Sequence, residues 1–466
     1  MFVLHIIYMK KPFYNRVDER DRLRAVLKCT GPGLAVVYGR RRCGKSTLLQ
    51  KVINRHDIYF LADQREASLQ IQAFAEAIDT VIPGFSRAQY RSWDALLQTL
   101  LSRCDRGLNI VVDEFPYLVQ SDPALPSLLQ RLMDQPGAAD VTWVLCGSSQ
   151  RMMQGVVLDA SAPLYGRAKE ILKIRPLEAG WLPEALQMVP AAAVEAYAVW
   201  GGVPRYWELA RDYVSTWDAI AKLVLDRNGV LHDEPNRLLV DDVRTPMQTI
   251  SLLSVIGSGC HRMSEIAARL QKPASSLTRP LGHLIDLGYI HRELPWGESL
   301  HSTKRTLYRL SDLFLRFYYR FVLPYQSLLE LGQVESVLTQ VKEGFPAHCG
   351  GIWEELVRRS IPFGKIAGID WKAAARWWGQ DLSRKQVEID VVAESLDGKS
   401  LLIGEVKWHV GHSGLEHEVR RLQMLAKSLP FLEGRRVVLG LWTREKMKLG
   451  ADMVVLTPED VLKVLR

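Results

Sequence analysis

No two cysteines in this 466-residue chain are spaced to share a metal ion. Cys29, Cys43, Cys104, Cys146, Cys260 and Cys349 stand singly, without a Cys-x-x-Cys pair, which excludes a structural zinc site and fits a reducing compartment. No apolar run approaches the roughly 18 residues needed to span a bilayer, and the opening FVLHIIYM is too short, and lacks the cleavage site, for a secretory signal. The expectation is a soluble, cytoplasmic chain with no membrane partner, whose first eight residues are a loose extension ahead of the Met9 that opens MKKPFYNR. Internal repeats and low-complexity tracts are absent, and so is a strong excess of one charge. The net +8 comes from 60 basic against 52 acidic residues. Residues 236–334 carry 12 basic against 8 acidic side chains, the largest imbalance for their length, which points to an anionic partner there, although an excess of this size is usually just a solvated surface.

The length exceeds what one hydrophobic core serves, so two to four domains are expected. Over residues 1–176, apolar runs at Leu34 to Tyr38, Ile58 to Ala62, Asn109 to Val112, Val141 to Cys146 and Glu170 to Ile174 alternate with helical patterns. That alternation predicts an α/β unit with a mainly parallel sheet. Residues 177–235 turn helical around GGVPRYW (Gly201 to Trp207) and read as a lid. Residues 236–334 give a helix, then MSEIAARL, then SSLTRPLGHLIDLGYI, then a hairpin through TLYRLSD, the layout of a winged helix with its connector. Residues 335–466 return to mixed α and β, with strands expected at Glu388 to Ala393, Leu401 to Lys407 and Arg436 to Leu441.

The stretch GRRRCGKST follows the first apolar run and precedes the helical TLLQKVI, the context that a phosphate-binding loop requires. Gly39, Arg40, Arg41, Arg42, Cys43, Gly44, Lys45, Ser46 and Thr47 are therefore expected to cradle ATP. Lys45 would neutralise the β and γ phosphates and Ser46 would hold Mg²⁺. Asp113, closing NIVVDE, is placed to hold the same metal through water, and Glu114 to orient the attacking water, unless Glu114 is only a solvated acid at a strand end. Ser148 or Ser149 in GSS would touch the γ phosphate or form a polar turn. Arg167 in PLYGR is a candidate charge stabiliser, in cis or from a neighbouring subunit, or else a surface arginine.

In the middle segment Ile266, Ala267, Leu270, Leu277, Leu281 and Leu284 fall at helical spacing and are core candidates. Ser275, Ser276, Thr278, Arg279 and His283 lie on the opposite face and suit DNA phosphates or base edges. Pro280 stands against deep insertion of that helix into a groove. The stripe Phe314, Phe317, Tyr318 and Phe321 is expected to be core.

Near the C-terminus Asp390 lies in VEIDVVAE, and fifteen residues later GEVKW puts Glu405 and Lys407 on one face of a strand. Two carboxylates on adjacent strands can hold a hard divalent cation such as Mg²⁺, with a lysine beside them to activate water or stabilise charge on phosphorus, which is the chemistry of a nuclease. Glu354 in GGIWEELVRR would add a carboxylate, with Glu355 as its substitute.

Taken together, FYNRVDERDRL, the phosphate loop, VVDEFPYL, GSS, PLYGR and GGVPRYW resemble archaeal-type ATPases of the signal-transduction P-loop lineage related to AAA+ enzymes. The resemblance implies that Phe13, Arg16 and Glu19 lie near the nucleotide base and that Arg167 is an arginine finger. ELPWGESLHSTKRTLYRLSDLFLRFYYRFVLP resembles the wing and following helix of that family. The block from Gly351 through ARWWGQ, VEIDVVAE and GEVKW resembles its C-terminal domain, of the PD-(D/E)XK nuclease superfamily, matched at Asp390, Glu405 and Lys407. The expected architecture is a P-loop NTPase parallel sheet with a helical lid, a winged-helix middle domain and a C-terminal α/β restriction-endonuclease-like domain. The expected activity is ATP hydrolysis controlling a DNA-binding winged helix and a Mg²⁺-dependent nuclease on duplex or branched DNA. An ATP-switched DNA-binding regulator, or an oligomerising signalling or defence scaffold with an inactive nuclease fold, are the alternatives.

Overall fold

The computed structural model describes residues 13–104, 107–135, 140–239, 246–299, 305–409, 412–432, 434–447 and 453–466. The N-terminal extension and residues 300–304 of the expected wing lie outside the described residues. The chain divides into two compact units. One consists of Arg16–Pro176 with Leu238–Arg244, the other of Met1–Asn15, Leu177–Arg237 and Thr245–Arg466.

The first unit is built on strands β1 (Gly33–Tyr38), β2 (Ile58–Leu61), β3 (Leu108–Asp113), β4 (Val141–Gly147) and β5 (Glu170–Lys173), each within a residue of the expected apolar run. All pair in parallel, in the order β2-β3-β4-β1-β5. A parallel sheet covered on both faces needs strands without polar alternation, and GLAVVY in β1 satisfies this. Leu34 and Val36 join a core with Phe74, Ile78, Trp93 and Leu96, while Ala35 and Val37 are fully buried on the other face. The order places β4 between the strand that feeds the phosphate loop and the strand that ends in Asp113.

In the second unit the helix Pro190–Trp200 is not amphipathic. Ala193, Val194, Ala196, Tyr197, Ala198, Val199 and Trp200 are all buried, as befits an internal helix. It packs against the helices Leu313–Phe321, Val334–Ser360 and Pro458–Val464. The turn Ala179–Trp181 also lies against the last helix: a Cβ at Gly180 would stand 2.2 Å from the Leu462 carbonyl oxygen. The segment expected as a lid thus shares one core with the C-terminal residues.

Helices Pro246–Gly257, Met263–Leu270 and Ala274–Asp286 lead into an antiparallel pair, β6 (Ile290–Glu293) and β7 (Leu307–Leu310). Ile266, Leu277, Leu281 and Leu284 are buried, while Ser275, Ser276, Thr278, Arg279 and His283 are exposed, so the two faces divide as the periodicity requires. Pro280 sits inside an unbroken helix. The aromatic stripe Phe314, Phe317, Tyr318 and Phe321 is core.

A mixed sheet completes this unit: β8 (Ala375–Gln380), β9 (Gln386–Glu394), β10 (Ser400–Lys407), β11 (Arg436–Thr443) and β12 (Met453–Leu456), in the order β12-β11-β10-β9-β8. β9 is antiparallel to both neighbours and β10, β11 and β12 run parallel. The edge strands β8 and β12 were not among the expected strands, because ARWWGQ and MVVL are short and show no clear alternation.

The 27-residue helix Val334–Ser360 runs through this unit. At its middle His348 is buried, its Nε2 2.9 Å from the Ala198 carbonyl oxygen, with the rings of Phe317, Phe321 and Phe345 around it. Burial pushes its imidazole down to about 3 from 6.5. The unfolded chain therefore takes up a proton that the folded chain refuses, and stability falls as pH drops from about 6.5 towards 3. His348→Gln, whose amide can donate to the same carbonyl, should give a flatter profile of thermal midpoint against pH across that window. Parallel profiles for variant and wild type would refute the assignment.

Candidate functional site

The ATPase unit gathers its polar groups at the C-terminal ends of β1, β3 and β4. Gly39 leaves β1 with φ +147°, and a Cβ there would stand 2.3 Å from the Ile174 carbonyl oxygen, so only glycine fits. Gly44, at φ +87°, turns the loop into the helix Lys45–Val52. The loop wraps the buried Lys45, whose ammonium donates to the carbonyls of Gly39 (2.9 Å) and Arg40 (3.1 Å). Ser46 and Thr47 are exposed in the first turn, where a helix N-terminus favours anions. Arg41 donates to the Tyr117 hydroxyl, and the Cys43 carbonyl accepts from the buried Arg16, which also reaches Glu19 and the Arg175 carbonyl. Arg16 and Glu19 are thus tied to the loop, and Arg42 lies in it at φ +67°.

Asp113 is fully buried and accepts a 2.8 Å hydrogen bond from the Tyr59 hydroxyl, whose pKa is raised by burial and by the Asp113 charge. Glu114 adopts φ +54° and caps the next helix. Its Oε2 accepts from Ser148 Oγ (2.8 Å) and Ser148 N (3.2 Å). Ser148, expected at a phosphate, is therefore the partner of Glu114, because β3 and β4 are neighbours in the sheet. Ser149 instead caps the helix Gln150–Met153. Arg167 is held by Asp134 through Nε (3.0 Å) and Nη2 (2.7 Å), and donates to the carbonyls of Pro163 and Tyr165. These partners lie outside the phosphate loop.

In the second unit Asp390 on β9 and Glu405 on β10 come together, both nearly fully buried. Asp390 Oδ2 accepts from the Val406 amide at 2.9 Å. Lys407 Nζ lies 2.9 Å from Glu405 Oε2 and 3.9 Å from Asp390 Oδ2. The long helix brings Glu354 to the same place: burial, then the Asp390 charge, raise its carboxyl to about 7. Burial and Asp390 likewise raise Glu405 to about 7, against the pull of Lys407 and Arg421. Burial disfavours the Lys407 ammonium, but Glu405 and Asp390 outweigh it, so its pKa is raised. Glu355 does not join: burial opposes its ionisation, yet the Arg316 guanidinium at 2.7 Å holds it at about 2.

Three residues of the two sites escaped the sequence reading. Arg358 donates to the Asp390 carbonyl (2.9 Å) and lies 3.5 Å from Glu354; its position four residues after Glu354 on a helix was the available signal. Tyr59 and Arg421 gave none, since strand order and the helix His412–Ser428 decide their placement.

A parallel sheet with a glycine-lined loop and lysine after β1 and an acidic pair after β3 defines a P-loop ATPase. Residues 13–209 match an ATPase domain found predominantly in Archaea, and residues 318–420 match a domain of archaea bacterial proteins of unknown function. An uncharacterised protein of Methanocaldococcus jannaschii is 30% identical over 402 residues, 85% of this chain and 87% of that protein. The solved Walker-type ATPase of Pyrococcus abyssi is similar in fold, with TM-score 0.50 and 18% identity over 66% of this chain and 97% of its own. The Aeropyrum pernix ORC2 protein, solved with ADPNP and ADP, gives 0.44 and 16% over 72% and 97%. The chain belongs to the same family as the M. jannaschii protein, and its residues 13–209 form the archaeal ATPase domain. Among the described residues no helix is long and apolar enough to cross a membrane.

Glu114→Gln should leave ATP affinity in place and lower the turnover number roughly 100-fold or more. Equilibrium binding of a fluorescent ATP analogue beside steady-state phosphate release checks this. Unchanged turnover would remove Glu114 from the reaction.

Proposed function

We propose that this ATPase controls a Mg²⁺-dependent nuclease acting on DNA, with the second unit carrying both a DNA-binding winged helix (236–334) and a PD-(D/E)XK-like nuclease domain (335–466). The observation that carries the reading is the meeting of Asp390, Glu405 and Lys407, with Glu354 beside them, at the centre of a mixed sheet. Buried carboxylates this close raise one another's pKa and call for a cation. Glu405 Oε1 is buried without a hydrogen bond, since Arg421 Nη1, 3.2 Å away, is not aligned to donate to it. Among the described residues no trio of His, Cys, Asp or Glu side chains forms a closed cation cage, so the fit is to two carboxylates completed by water, as Mg²⁺ accepts. Asp390 and Glu405 would hold the ion, which supplies Lewis-acid stabilisation of a phosphodiester under attack. Lys407, kept protonated by the two acids, stabilises the charge that develops on the phosphate oxygens. The exposed polar face of the helix Ala274–Asp286 and the basic balance of the middle segment support DNA as the partner.

In the ATPase unit, the loop amides from Gly39 to Thr47 and the Lys45 ammonium would bind the phosphates. Ser46 and Asp113 fit Mg²⁺ as exposed hydroxyl and buried carboxylate. Glu114 would orient water once Ser148 releases it, and Arg167 would serve as a finger only after leaving Asp134, in a homo-oligomer or in cis. The helix Pro190–Trp200 packs against the helix Val334–Ser360, which packs in turn on β9 and β10, so a change carried into the first would be passed on to the sheet.

Arg421 beside Glu405 favours a second reading, a DNA-binding regulator whose nuclease fold does not cut. Incubation of the full chain with duplex, single-stranded and branched DNA, varying ATP and Mg²⁺ or Mn²⁺ independently, separates the two. The nuclease reading expects metal-dependent cleavage lost on Lys407→Ala and Glu405→Ala while DNA binding persists. Binding without cleavage under any metal would leave the regulator.

A further inference from the structure

A cavity of about 400 Å³ opens beside the nuclease carboxylates, lined by five arginines, Arg309, Arg316, Arg320, Arg358 and Arg376, with Glu354 on its wall. Four different elements deliver them: β7, the helix Leu313–Phe321, the helix Val334–Ser360 and β8. The carboxylates that answer them are fewer than the cations. Glu293 is shared between Arg309 (3.0 Å) and Arg358 (3.6 Å), Glu354 lies 3.5 Å from Arg358, Glu355 takes Arg316 (2.7 Å), and Glu388 takes Arg376. Arg320 has no carboxylate partner among the described residues; it is an exposed member of the lining, its guanidinium carbon 5.2 Å from the centroid of the Phe321 ring. The Nε of Arg376 is buried without a hydrogen bond. His261 and His348 add no charge, since burial pushes them down to about 4 and about 3.

Five guanidinium groups against four carboxylates leave the cavity with an excess of positive charge, which favours an anion. Guanidinium forks match the oxygens of carboxylates and phosphates, and a phosphate monoester adds a second negative charge to answer several arginines at once. The volume admits such a phosphate together with the sugar that carries it. Arg358 joins the cavity to the nuclease cluster, donating to the Asp390 carbonyl at 2.9 Å while lying 3.5 Å from Glu354.

We propose that this arginine cavity is a binding site for the terminal phosphate of a nucleic-acid strand, setting the strand's end at a fixed distance from the cluster of Asp390, Glu405 and Lys407. The proposal rests on the nuclease reading for its purpose but not for its chemistry. A strand held by its end is cut from that end, so the activity it implies is exonucleolytic trimming rather than internal cleavage. A free nucleoside monophosphate offers the same phosphate, and only the strand supplies further contacts beyond the cavity.

The test measures binding by fluorescence anisotropy in EDTA, where no cutting occurs, using one labelled oligonucleotide with a 5′-phosphate, a 3′-phosphate or hydroxyl ends. The full chain should bind one phosphorylated form at least tenfold more tightly than the hydroxyl form. Arg320→Gln, at a residue with no carboxylate partner to strand, should abolish that preference and leave hydroxyl-ended affinity unchanged. Arg376→Lys, which keeps the charge but loses the fork, should reduce it. Equal affinity for all three ends, or an equal loss for all three in Arg320→Gln, would overturn the proposal. Competition by adenosine monophosphate at the strand's own concentration would overturn the strand end in favour of a free nucleotide. Because no metal is present, absence of cleavage elsewhere leaves this result standing, and end-independent binding leaves the nuclease reading standing.

Discussion

The helix Val334–Ser360 is the constraint on which the larger unit depends. Val337, Val341, Phe345, Ile352, Trp353, Leu356 and Val357 bury it along its length, and burial of this order far exceeds what any of its polar contacts contributes. Because it is fixed, it can deliver polar groups with precision. His348 ties it to the helix Pro190–Trp200, Glu355 pins Arg316, and Glu354 and Arg358 meet Asp390. One packed element thereby holds the helical segment after Leu177, the aromatic helix and the C-terminal sheet in a single body.

Within the larger unit the backbone around Gly180 lies against the last turns of the chain. In the ATPase unit the corresponding economy is the placement of β4 between β1 and β3. It sets Ser148 beside Glu114, so one serine hydroxyl can decide whether that carboxylate is engaged or available.

Much of this was legible in the sequence because the signals were local. Parallel strands buried on both faces announce themselves as apolar runs, and GRRRCGKST carries its own context. Asp390, Glu405 and Lys407 sat in strands whose period put Glu405 and Lys407 on one face. Strand order was not legible, since it depends on which apolar faces match after collapse; hence the contact of Ser148 with Glu114 was not expected. Arg167 looked free because Asp134, thirty-three residues earlier, gives no local sign of reaching it. The choice of Glu354 over Glu355 was a matter of helix phase, and the opposed shifts of their carboxyls, to about 7 and about 2, show the same helix turning one acid towards acids and the next towards an arginine.

The central claim is that nucleotide state governs the carboxylate cluster of the second unit. Its most direct test is the rate of metal-dependent DNA cleavage by the full chain measured with ATP, with ADP and without nucleotide. The account predicts rates that differ between these states by at least roughly fivefold, the lower end of ordinary coupling between sites. Equal rates in all three would contradict it.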